Sequence, residues 1–177
     1  IIMKIYFDTE TTGLIPGRII QLAYIMEDGD MIKAKNFFFS VDYVPIEAVK
    51  VHGFTVEKLA VLSYGKVFSD YYEEIQKDFL DASEIIAHNV KFDISFLNAE
   101  FSYQNEVFKY NSEFDSMKYF TPILKLERRS GGYKYPKLSE LTAYFGITDY
   151  EILKVAKLLF GCSCGYHDAR FDTTALY

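Results

Sequence analysis

Three short segments of this chain place carboxylates where they are crowded or costly. In Phe7-Asp8-Thr9-Glu10-Thr11-Thr12-Gly13, strand alternation sends Asp8 and Glu10 to one face and Ile5, Phe7 and Thr9 to the other. Two carboxylates side by side repel each other unless a cation lies between them. In His88-Asn89-Val90-Lys91-Phe92-Asp93-Ile94-Ser95-Phe96-Leu97, helical periodicity puts Asp93 between Phe96 and Leu97, inside an apolar stripe. A carboxylate buried there needs a partner. In Gly165-Tyr166-His167-Asp168-Ala169-Arg170-Phe171-Asp172, followed by Ala175 and Leu176, Asp172 repeats that pattern, Asp168 is the expected N-cap and His167 stands just ahead of the helix.

Taken singly, each segment has an ordinary explanation: solvated acids at a strand end, an Asp favoured by the helix dipole in a first turn, a structural histidine. Three together on one short chain ask for a shared cause, and a divalent metal cluster supplies it. Hard cations such as Mg²⁺ or Mn²⁺ take oxygen ligands, and several carboxylates can hold two of them. Two such ions about 3.5–4 Å apart stabilise both the attacking and the leaving oxygen of an in-line phosphoryl displacement.

The elements that must position these residues follow from hydrophobic periodicity. Met3–Asp8, Arg18–Glu27 and Met31–Val41 read as strands, the last two joined by the turn Glu27-Asp28-Gly29-Asp30, and together make an antiparallel meander. Helical character covers Thr55–Leu62 and Phe68–Asp81, and no element is assigned between Val41 and Thr55. Glu84–His88 is a short buried strand; Asn89 caps a helix running to about Tyr103; a last strand is expected near Val107–Asp115. Further helices are expected at Ser116–Leu124, Lys137–Phe145, Asp149–Phe160 and from Asp168 to the end. Three strands first, then strands alternating with helices, predict an α/β fold with a mixed sheet. With no linker, repeat or low-complexity tract, residues 1–177 read as one domain.

Composition narrows the classes further. The chain carries a formal net charge of −6, so it does not coat nucleic acid by a global field; any such chemistry rests on a local site and bound cations. Aromatics reach 18%, with 16 Phe and 15 Tyr, mostly for the core, although a few rings are available to stack on bases. The two cysteines, Cys162 and Cys164, rule out a disulfide framework, make a poor zinc site and read as free thiols. No apolar run reaches the ~18 residues of a membrane span and no signal peptide is visible, so a cytoplasmic protein without membrane contact is expected. The opening Ile-Ile-Met reads as two extra residues before a native Met3.

These motifs resemble the DEDDh exonucleases, the superfamily of polymerase proofreading subunits and their stand-alone relatives. Asp8-Thr9-Glu10-Thr11-Thr12-Gly13 is similar to that family's first motif, His88 to Asp93 to the second, and His167 with Asp172 to the third. Val51-His52-Gly53-Phe54-Thr55, Phe114-Asp115-Ser116 and Lys137-Leu138-Ser139-Glu140-Leu141 are weaker echoes. The tyrosine variant of the superfamily would carry Tyr where Asp168 stands, so the histidine type fits. Thr173 stands where the family often has Ala, and ending at Tyr177 leaves the terminal helix short, which could loosen Asp172.

The resemblance implies an RNase H-like fold: a mixed five-stranded sheet, with the meander and parallel strands flanked by helices. It implies hydrolysis from a 3′ end that releases nucleoside 5′-monophosphates, with two divalent ions, Mg²⁺ or Mn²⁺, as cofactors. Asp8 would bridge the ions, Glu10 and Asp172 would complete one site, Asp93 would hold the other partly through water, and His167 would take the proton from the attacking water. Thr11, Thr12, Gly13, Leu14, His52, Asn89 and Phe92 are the matching candidates for contact with the terminal nucleotide. The expected partner is the 3′ end of nucleic acid, DNA more than RNA, and beyond it a DNA polymerase. Phosphate contacts are expected between Lys118 and Lys137, a window with six basic residues and Glu127 as its one acid. Two rivals share much of this pattern: an RNase H-type endonuclease, which gives no reason for His167, and a catalytically inactive binding module of the same fold.

Overall fold

A computed structural model describes residues 2–177. Strands β1 (Lys4–Thr11), β2 (Ile19–Asp28) and β3 (Met31–Phe38) form the meander, with Gly29 at φ 60° in the turn between β2 and β3. Then come helices α1 (Ile46–His52) and α2 (Val56–Leu62), a 3₁₀ turn at Phe68–Asp70 and helix α3 (Tyr72–Asp81). Strand β4 (Glu84–Ala87), helix α4 (Val90–Tyr103) and strand β5 (Glu113–Asp115) follow. Helices α5 (Ser116–Leu124), α6 (Leu138–Tyr144), α7 (Asp149–Phe160) and α8 (Ala169–Leu176) complete the chain. The five-stranded sheet has the order β3-β2-β1-β4-β5, antiparallel through β3, β2 and β1 and parallel through β1, β4 and β5.

The register explains why the end of β1 is available for chemistry. Its pairing with β4 covers only Lys4, Tyr6 and the residue between them, whereas its pairing with β2 continues to Thr11. Asp8 and Glu10 therefore overhang β4 at the sheet edge where parallel strands end. One face of β1 is apolar: Ile5 and Phe7 are fully buried, and Phe7 meets Phe79 of α3 edge to face at 5.2 Å between ring centroids. The other face meets α8, where Tyr6 packs on Tyr177 at 5.2 Å. On the face that carries Ile5 and Phe7, α3 and α4 close a core of Tyr24, Phe39, Phe68, Phe96, Phe101 and their aliphatic neighbours, which absorbs much of the aromatic surplus. A second apolar cluster, Ile20, Phe38, Val41, Val44, Phe54 and Leu59, seats α1 and α2.

The structure departs from the sequence expectations at several places. Helix α1 fills the stretch left unassigned; it is a short helix that follows Pro45 and stops at Gly53, whose φ of 75° suits glycine. Phe68–Asp81 is two elements, a 3₁₀ turn and α3, not one helix. β1 continues past Asp8, and β3 stops at Phe38, short of Val41. β5 is three residues long, and before it the Lys109 backbone bonds a side-chain amide in place of a ladder partner. Gln76 exchanges hydrogen bonds with the Lys109 backbone at 2.7 and 2.9 Å, and Asn111 donates to the carbonyls of Leu80 and Ala82. Asn89 does occupy the N-cap of α4, but through a left-handed backbone (φ 71°) and with no side-chain capping bond.

Candidate active site

The end of β1 lies between two helices that bring acids from opposite sides. From α4 comes Asp93, buried within the stripe Val90, Ile94, Phe96, Leu97 and Phe101 as its spacing predicts. The partner that burial demands is Thr9: its backbone N–H and its hydroxyl both donate to Asp93 Oδ1, at 3.1 and 2.6 Å. Seven residues along the same helix, buried Glu100 accepts from Arg18 Nε (3.0 Å) and from the Ile19 N–H (2.8 Å), tying α4 to the start of β2.

From the other side α8 brings Asp172, and two bonds to β2 set its place. The fully buried Gln21 accepts from the Ala169 N–H at 3.0 Å and donates to Asp168 Oδ1 at 3.0 Å and Asn36 Oδ1 at 2.8 Å. Thr173 donates to the Ala23 carbonyl at 3.1 Å. Asp168 caps α8 and receives two bonds from the Arg170 guanidinium, at 2.8 and 2.7 Å. Burial works to raise its pKa, but Arg170 and Gln21 outweigh that and hold it below the usual carboxylate value. His167 sits just before this cap in a left-handed conformation (φ 59°), exposed to water.

The five residues singled out for catalysis converge here. Ligand atoms of Glu10, His167 and Asp172 all lie within 4.8 Å of one another. Asp8 is raised well above the ordinary carboxylate value, first by burial and then by Asp172, Asp93 and Glu10. Burial, then Asp172 and Asp168, push Glu10 to about 8. Burial lifts Asp93 to about 7 against the two bonds from Thr9, and lifts Asp172 to about 7 against a backbone hydrogen bond from His167. Arg170, the basic side chain on this stretch, is committed to Asp168. An all-oxygen donor set with one imidazole beside it fits hard divalent cations.

Next to the acids runs a groove of about 650 Å³ with Glu10 in its wall. Thr11, Thr12, Gly13, Leu14, His52 and Phe92, six of the seven residues expected to touch substrate, line it. Leu14 and the neighbouring Ile15 are 88% and 83% exposed, apolar side chains held in water at the rim. Asn89 is not in this wall; its N–H donates to Asp115 Oδ1 at 3.1 Å. His52 accepts from the Phe54 N–H through Nδ1 (3.1 Å), so its buried Nε2 carries the proton; it lies beside the Thr11 backbone without closing a standard hydrogen bond. Pro45, Glu47, Ala48 and Val51 of the opposite wall were missed with α1; the Pro45 to Gly53 bracket was the signal for them. Gln21 and Thr9 had no sequence signal at all.

His88, although inside the second motif, is structural: Nδ1 meets Ser116 Oγ at 2.9 Å and Nε2 meets the Pro136 carbonyl at 2.8 Å. Cys162 and Cys164 are free and half-buried, and burial pushes the Cys164 thiol up to about 12, far from a reactive thiolate. Among the described residues no helix is long and apolar enough to cross a membrane.

A meander continued by two parallel strands, with helices on both faces, is the RNase H-like exonuclease fold. Residues 5–151 match the RNase_T exonuclease family, and the chain belongs to that family. It is 35% identical over 105 residues to DNA polymerase III subunit epsilon of Rickettsia conorii, covering 56% of this chain and 44% of that protein. Against the epsilon subunit of Pasteurella multocida it is 28% identical over 157 residues, 81% of this chain and 58% of the relative. The chain thus spans about half the length of these relatives. In fold it is similar to Escherichia coli exonuclease I in complex with a dT13 oligonucleotide, with TM-score 0.76, 20% identity, and coverage of 99% of this chain and 39% of that one.

Two outcomes follow. The folded values of about 7 to 8 for Glu10, Asp93 and Asp172 lie above the ordinary carboxylate values of the unfolded chain, so the metal-free fold binds more protons and loses stability as pH rises. Its melting temperature should fall between about pH 4 and pH 8, and Mn²⁺ at a hundredfold excess over Kd should raise it at pH 8 by about 5–10 °C. A flat profile that Mn²⁺ does not move would mean the acids share no cation. Gln21→Ala should lower the melting temperature by about 3–10 °C, since it leaves buried polar groups of α8 unpaired, and should shift the Mn²⁺ midpoint upward. If neither quantity changes, α8 is held by other contacts.

Proposed function

We propose that this chain is a metal-dependent 3′→5′ exonuclease that shortens single-stranded DNA and releases nucleoside 5′-monophosphates. The observation that carries this reading is that Glu10 belongs both to the cluster it forms with His167 and Asp172 and to the wall of the groove. Acids and imidazole therefore meet the inner surface of a cleft of nucleotide size. Asp8, Glu10, Asp93 and Asp172 are the residues to hold two divalent ions, Mg²⁺ or Mn²⁺, which supply positive charge to the attacking and leaving oxygens of an in-line displacement.

The protein's own groups do the rest. His167, exposed at the mouth of the cluster, accepts the proton of the attacking water as general base. Thr11 at the end of β1, the loop from Thr12 to Ile15 and Phe92 grip the last nucleoside, with Leu14 and Ile15 wedging against its base. His52, with its buried Nε2 proton near the Thr11 backbone, positions that loop. Family membership supports the reaction class, and the solved complex of exonuclease I with dT13 supports DNA as substrate. Relatives that are polymerase III subunits support a polymerase as partner.

A 5′-labelled single-stranded oligonucleotide tests the reading. With Mn²⁺ or Mg²⁺ it should shorten as a ladder from the 3′ end, with no product in EDTA or with Asp8→Ala; internal fragments would instead indicate an endonuclease, and no cleavage a binding module. His167→Ala should retain Mn²⁺ binding while kcat falls by about 10²–10⁴; undiminished turnover would remove His167 from the chemistry.

A further inference from the structure

Two features of the sequence remain unused by the active site, the surplus of rings and the basic window, and the fold puts them together. Phe114, Tyr119, Phe120, Phe145 and Tyr144 form a continuous chain of ring contacts, with successive centroids 5.1, 5.0, 5.4 and 5.1 Å apart. Core rings would be hidden; here Tyr119, Phe145 and Tyr144 are 55%, 52% and 56% exposed. The chain of rings crosses from the end of β5 along α5 to the end of α6.

Basic groups lie on the same stretch of chain. Lys118 and Lys125 lie on α5 and at its C-cap, and Arg128 and Arg129 lie on the loop that follows, with Arg128 over the Tyr135 ring at 5.8 Å. Among the described residues Lys125, Arg128 and Arg129 make no ion pair. In a chain of net charge −6 this is a local inversion of sign.

The position is also right for a substrate. β1, β4 and β5 run parallel, so α5 starts at the same sheet edge as Asp8 and Glu10, two strand spacings or about 10 Å away. It is anchored directly to the motif that carries Asp93: Asp115, its N-cap, accepts from the Asn89 N–H, and His88 bonds both Ser116 and the Pro136 carbonyl just before α6.

We propose that this surface is a stacking track for the single strand upstream of the scissile nucleotide, with bases on the exposed rings of Tyr119, Phe145 and Tyr144 and phosphates near Lys125, Arg128 and Arg129. Half-exposed rings on the helix that Lys125 caps, followed by a loop with two more unpaired cations, suit a flexible polyanion with stackable bases. The inference rests on the nuclease reading for its direction, not for its existence.

The test compares two substrates and one binding measurement. Thymidine 5′-monophosphate p-nitrophenyl ester occupies only the active site, whereas a twelve-nucleotide strand also reaches the track. Tyr119→Ala/Tyr144→Ala should raise KM for the strand by about tenfold or more, with kcat and ester turnover unchanged. Lys125→Ala/Arg128→Ala should reduce the slope of log KM against log salt by about 1.4, two single-strand phosphate contacts. Fluorescence anisotropy of the same labelled strand in EDTA should show matching losses of affinity. An unchanged KM and Kd would overturn the track and leave the rings to a protein partner, and equal slowing of strand and ester would overturn it in favour of a general structural role. If the wild type cleaves neither substrate, the nuclease reading fails by itself, and the anisotropy comparison still decides the track.

Discussion

Like charges gathered at the end of one strand set the terms for the rest of this fold. Two carboxylates about 5 Å apart repel by about 3–4 kcal/mol at an effective dielectric of about 20, and here Asp8, Glu10, Asp93 and Asp172 share one small region. Burial first, and neighbouring carboxylates after it, displace all four upward, so that without a cation the cluster holds protons. Such an arrangement persists only where the surrounding packing leaves the acids no other place to go.

That packing is built on both faces of β1. On the α4 side the apolar stripe fixes the helix, and Thr9 gives Asp93 the two hydrogen bonds that make its burial tolerable. On the α8 side the helix is short, and a hydrophobic face alone would define its axial position poorly. Gln21 sets it by reading the helix N-terminus and its cap together, and Arg170 pairs with Asp168, offsetting part of the charge that Asp168 adds to the cluster. Polar groups reaching from β1 and β2 thus hold the helices that carry the acids, and the aromatic core keeps those strands from yielding.

The same economy of position links the cluster to its surroundings. The β1–β2 loop leaves the strand one residue after Glu10 and so turns the acidic edge into one wall of an apolar groove; α1 provides the opposite wall. An acidic chain of this kind gains nothing from long-range attraction to a polyanion. On the proposed reading, recognition of a strand rests on close contact, with apolar side chains at the groove rim and the rings and cations of α5, the loop after it and α6.

Much of this was legible in the order of residues. Alternation along a strand is enough to pair Asp8 with Glu10, and a 3.6-residue period is enough to find Asp93 and Asp172 among apolar neighbours and His167 ahead of its helix. Six of the seven residues that motif position marks for substrate contact line the groove. These are local properties, set by backbone geometry within a few residues. Tertiary structure decided the rest: that Thr9 satisfies Asp93 across 84 positions, that Gln21 clamps a helix nearly 150 residues later, that the Asn89 N–H bonds Asp115, and that five scattered rings join into one surface. Hydrogen bonds and ring contacts between distant segments depend on which strands lie side by side, and no period within one segment encodes that.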